Sequence, residues 1–82
     1  MAPTPYKGFE ISSASHQLFN DGEWTLRVVI IKHHDSRGET LTKLFLGNNT
    51  FTSQVEANFH SVEFGKKIVD GQYPEFNIID LL

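Results

Sequence analysis

The sequence predicts an α+β fold: a three-stranded antiparallel meander, one long helix packed on one face, and a C-terminal tail able to supply an extra strand. Three observations carry that prediction. Residues 51–71 (FTSQVEANFHSVEFGKKIVDG) write out one helix with a start and a stop. Residues 23–33 alternate as a strand, with Trp24, Leu26, Val28 and Ile30 on one side and Thr25, Arg27, Val29 and Ile31 on the other. Turn residues Asn20-Asp21-Gly22 and Asp35-Ser36-Arg37-Gly38 bracket that strand, so its neighbours return antiparallel.

The helix signals are chemical. Thr52 or Ser53 can cap the N-terminus, and Ser53 with Glu56 fits the S-x-x-E capping box. Phe51 and Val55 are spaced for a hydrophobic staple. Gly71 stands where a left-handed residue closes a helix, and Lys66 and Lys67 lie where the macrodipole favours cations. At 100° per residue, Val55, Phe59, Val62 and Val69 fall within about 80° of one another. This stripe, with Gly65 near it, is assigned to the sheet. Ala57, Phe64 and Ile68 form a second stripe on the opposite side, which needs a cover of its own.

Before the first turn, residues 1–5 form a flexible lead with two prolines, and Tyr6–Ile11 reads as one strand continuing into the polar Ser12–Ser15. After the second turn, Thr40–Leu46 forms the third strand, ended by Gly47-Asn48-Asn49. The tail of residues 72–82 ends in FNIIDLL, an apolar string with one charge. It can fold over the helix, add an edge strand, or pair with a second copy.

Eighty-two residues give one small domain, burying about 60–65% of its unfolded surface. There is no cysteine, hence neither disulfide nor thiolate metal site. No signal peptide precedes the first strand, and the longest apolar run is Val28–Ile31, so a cytoplasmic protein without a membrane span is expected. The net charge of −3 and the absence of any basic cluster beyond Lys66-Lys67 argue against nucleic acid as a partner.

Five stretches, Tyr6–Ile11, Asp21–Trp24, Arg27–Ile30, Phe51–Thr52 with Glu56–Ala57, and Phe64–Gly71, follow a shared pattern. It reads Y-K-G-[YF]-E-[IL], D-G-x-W, R-V-V-I, F-x-T-x-x-E-A and F-G-[KR]-x-I-[IV]-D-G. Through these motifs the chain resembles a widespread family of small uncharacterised bacterial proteins. The Thr-to-Glu gap is one residue longer here, and the likeness covers residues 6–71. The order of strands followed by one helix is also similar to the small domain of HicB-type antitoxins. These resemblances imply the fold and bring no catalytic residues.

Chemistry-bearing constellations are sparse. His33 and His34 alternate to opposite faces of their strand, so one metal ion cannot readily take both, and His16 and His60 stand elsewhere. There is no nucleophile elbow, no phosphate-loop glycine spacing, and no catalytic, metal or cofactor site to assign. The function expected is a non-enzymatic protein-interaction or regulatory module, binding a protein partner or a second copy. Its candidate surface is Val29, Ile31, Ala57, Phe64 and Ile68, the apolar residues left over once the core is assigned. Two alternatives stand beside it: an antitoxin-like partner of a larger protein, and a weak nucleic-acid-binding module using the basic residues Arg27, Lys32, Arg37 and Lys43.

Overall fold

The computed structural model describes residues 3–82. Strands β1 (Thr4–Tyr6), β2 (Phe9–Ser13), β3 (Trp24–His34) and β4 (Glu39–Phe51) form one antiparallel sheet in sequence order, and helix α1 (Gln54–Val69) packs on one face. The α+β class is the predicted one, with four strands rather than three.

The additional strand comes from residues 4–11, which sequence pattern reads as a lead and a single strand. Tyr6 pairs with Phe9 across a two-residue turn in which Lys7 and Gly8 have φ of 50° and 85°. Both angles are positive, as a type I′ hairpin requires. Lysine gives no warning of that conformation, so Gly8 was the sole clue. The turn is secured by its side chains: Lys7 Nζ lies 2.5 Å from Asp70 Oδ1 and the Tyr6 hydroxyl donates to Asp70 Oδ2 at 2.8 Å. Thr4 and Pro5 thus belong to β1, while residues 1 and 2 of the expected lead lie outside the described residues.

The long central hairpin follows its signals. Gly38 closes the β3–β4 turn at φ 66°, after a single 3-10 turn at Asp35–Arg37. Leu26, Val28 and Ile30 are buried toward the helix, as alternation predicts. The expected break at Gly47-Asn48-Asn49 is instead a bulge. Arg27 pairs with Leu46 and Thr25 with Thr50, so β4 absorbs extra residues and runs on to Phe51. A Cβ at Gly47 would run into the Leu26 side chain, which explains glycine at the bulge.

Both helix caps match their sequence signals. Ser53 Oγ accepts the Glu56 N–H at 3.2 Å. Gly71, at φ 80°, donates to Ile68 O and Gln72 N–H donates to Lys67 O, which together make a Schellman closure. The staple is not formed as expected: Phe51 stacks on His60 at 4.7 Å, while Val55 is 79% exposed.

The helix is rotated from the expected facing. Ala57, Phe64 and Ile68, expected on the outer side, are buried with Ser61 and Gly65; of the stripe expected against the sheet, Val62 and Val69 pack partly buried against the core, whereas Val55 and Phe59 are exposed. Close approach decides the outcome. A Cβ on Gly65 would lie 2.6 Å from Ile11 Cγ2 and 2.9 Å from Val28 Cγ2. Small residues at 57, 61 and 65 let the helix sit close to the sheet, where bulky Val55 and Phe59 would hold it away. Ser61 disguised this face in the sequence. Its hydroxyl is fully buried but satisfied, accepting the Arg27 N–H at 3.2 Å and bonding Ser15 Oγ at 2.9 Å.

The tail completes the core and forms no strand. Phe64 meets Tyr73 and Phe76 edge-on, both at 5.5 Å, and Phe76 meets Phe45 at 5.7 Å. A final 3-10 turn at Ile79–Leu81 buries Leu81. His34 Nε2 donates to Leu81 O at 2.6 Å, and Lys43 Nζ donates to Asn77 O and Asp80 Oδ2, each at 3.1 Å. Residues 72–82 are therefore the cover that Phe64 and Ile68 require.

Candidate interaction surface

One helix covers one side of the sheet and leaves the other open. On the open side, β3 presents Arg27, Val29, Ile31 and His33, and β4 presents Thr40, Thr42, Leu44 and Leu46. Val29 stands directly opposite Leu44, Arg27 opposite Leu46 and Ile31 opposite Thr42. Val29 and Ile31 are half-buried by their neighbours, whereas Leu44 and Leu46 are 45% and 55% exposed. Cross-strand neighbours lie about 4.5–5.5 Å apart at Cβ, so these four aliphatic side chains form one contiguous patch.

Polar groups frame the patch at both ends. At one end the His33 ring bonds the Glu10 carboxylate through Nε2 and meets the Thr40 hydroxyl through Nδ1 at 3.1 Å. At the other, Arg27 Nη1 donates to His16 Nδ1 at 2.6 Å. Arg27 Nε is buried and, among the described residues, is the one buried side-chain N or O atom without a hydrogen-bond partner. The formal charges of this face are thus few, Arg27 at one end and Glu10, bonded to His33, at the other.

Of the five residues read from the sequence as an interaction surface, Val29 and Ile31 lie on the open face. Ala57, Phe64 and Ile68 lie in the core and offer nothing to a partner. Sequence reading missed Leu44 and Leu46 as surface residues, although their alternation with Leu41 and Phe45 carried the signal. The four basic residues do not form one patch. Arg27 is on the open face; Lys32 turns to the helix side, over the Phe9 ring at 5.2 Å and bonding Gly8 O. Lys43 is held by the tail, and Arg37 sits at the hairpin tip 3.9 Å from Glu39. His33 and His34 point to opposite faces, as alternation predicts.

A second apolar feature lies on the outer side of α1. Val55, Phe59 and Val62 follow the i, i+4, i+7 spacing of a helix seam and, with Asn58, line an open hollow of about 330 Å³. Phe59 is 62% exposed.

Electrostatics concentrate at the β1–β2 turn rather than on either apolar surface. The Lys7 ammonium and then the Tyr6 hydroxyl, both bonded to Asp70, hold its carboxyl below the usual carboxylate range. The same carboxylate raises the pKa of Lys7 and of Tyr6. This cluster ties the first hairpin to the end of α1. No helix among the described residues is long and apolar enough to cross a membrane. No protein-family model, curated protein or solved structure matches the chain.

Proposed function

We propose that this protein is a non-enzymatic interaction module whose working surface is the open face of the sheet. The observation that supports the reading is the Val29–Leu44 pair with Ile31 and Leu46 beside it, four large aliphatic side chains of which Leu44 and Leu46 are exposed and Val29 and Ile31 half-buried. An apolar patch rimmed by Arg27 on one side and Glu10–His33 on the other has the layout of a partner site, with an apolar centre and a polar rim. The test is the double substitution Val29→Thr with Leu44→Thr, which keeps β propensity and removes the apolar surface. Sedimentation from low to high micromolar concentration should show association in the wild type and a monomer in the variant, at unchanged melting temperature. Equal sedimentation of the two, or a loss of stability typical of a core substitution, would count against the reading.

The helix seam of exposed Val55 and Phe59 beside part-buried Val62 supports a second reading, in which α1 is the contact. Phe59→Ser separates the two. It abolishes association only if the helix is the interface.

A further inference from the structure

We infer that this chain pairs with a second copy of itself through its sheet edge, by antiparallel pairing of β4 with β4. The inference goes beyond the reading of the open face: the edge is the contact, and the two open faces are joined side by side into one.

It starts from the two edges of the sheet, which are built differently. The β1 edge is three residues long with Pro5 at its centre, and both shortness and proline block strand addition. The β4 edge has no such protection over Thr40–Leu46. That stretch pairs regularly with β3 on one side, carries no proline, and stops at the Gly47–Asn49 bulge. Its single charge, Lys43, is turned to the helix side and engaged by Asp80 and Asn77 O. A row of backbone donors and acceptors is thus available to another strand.

Two-fold symmetry then limits the register to pairings centred on one residue, of which the one centred on Leu44 is the register proposed. In a continuous sheet, residues facing one another across the axis must share a face, so their numbers sum to an even value. Centring on Lys43 sets ammonium against ammonium, which is destabilising. Centring on Leu44 sets Leu44 against Leu44 and Thr42 against Leu46, with Lys43 opposite Phe45. Lys43 already lies over its own Phe45 ring at 5.5 Å, so this neighbour suits it. The same operation places the two open faces side by side, making one larger apolar surface from two halves. The formally charged residues of this face, Arg27 and Glu10, stand at its ends and away from the Leu44 axis, so no like charges meet across it.

The chain lacks cysteine, so single-cysteine variants report the geometry directly. Leu44→Cys, mildly oxidised at micromolar concentration, should form a disulfide dimer about a hundredfold faster than Phe19→Cys, because pairing raises the local thiol concentration to the millimolar range. Phe19 serves as control because it is fully exposed in the connection between β2 and β3. Leu46→Cys alone should cross-link no faster than the control, and a mixture of Leu46→Cys with Thr42→Cys should cross-link as a mixed pair. Equal rates at every site, or fastest cross-linking in Phe59→Cys, would overturn the inference. If Val29→Thr with Leu44→Thr abolishes association while Leu44→Cys shows no advantage, the open face stands and edge pairing falls. If neither acts, both fall.

Discussion

On the helix side of the sheet, Val28 and Ile30 meet Gly65, Ser61 and Ile68 with almost nothing exposed; on the other side, Val29 and Ile31 meet Leu44 and Leu46 and then solvent. At the centre of β3 the two sides carry the same residue types, Val28 and Ile30 on one and Val29 and Ile31 on the other, so hydrophobicity does not separate core from surface there. Complementarity does. The covered side has a helix whose small residues allow it to come close and a tail whose aromatic side chains fill the remaining gap. Among the described residues the open side has no such counterpart.

The comparison can be broken most severely at Gly65. Gly65→Leu raises intrinsic helix propensity by about 1 kcal/mol. Even so it should destabilise by more than about 3 kcal/mol, since the new Cβ alone collides with Ile11 and Val28. Chemical denaturation measures this, and an unchanged midpoint would mean the helix is not held against the sheet at this point. Next comes the paired truncation of Ile68→Ala and Leu44→Ala. The first, 1% exposed, should cost about 2–5 kcal/mol. The second should cost under about 1 kcal/mol in the monomer, because half of its surface is already in water. Equal costs would erase the distinction between the two sides.

Ser61→Ala sharpens the comparison by testing its one polar element. The variant leaves the part-buried Arg27 N–H without its acceptor, for a loss of about 1–3 kcal/mol despite the gain in apolar character. The smallest effect is electrostatic. Asp70 has a folded pKa below its unfolded one, so its contribution is present above the unfolded value and is lost as pH falls through the folded value. Wild type should therefore exceed Asp70→Asn in stability at neutral pH, and the difference should close as pH falls below about 4. A difference that persists in acid would place the effect elsewhere.

Much of this architecture was legible in the residues. Ser53, Glu56 and Gly71 marked the helix because caps are local chemistry, and Asp-Gly and Arg-Gly marked the turns for the same reason. Strand alternation placed Leu26, Val28 and Ile30 correctly. The helix faces were legible only in part, at Val62, Gly65 and Val69, because periodicity weighs hydrophobicity while packing weighs shape. Ala57, Ser61 and Gly65 look weak on a helical wheel and are strong as a close-contact surface. Lys7 at positive φ was hidden too, since its stabilising partner, Asp70, is 63 residues away. Of the candidate surface, Val29 and Ile31 could be read from alternation, and Leu44 and Leu46 complete it only once the β3–β4 register is known.

The account turns on which apolar surface works. Methyl NMR of the intact chain across a dilution series addresses that directly, because Val29, Ile31, Leu44 and Leu46 each carry a reporter. Concentration-dependent shifts should gather on those four residues and leave Val55 and Val62 unmoved. Shifts confined to Val55 and Val62, or none at any residue up to high micromolar concentration, would contradict it.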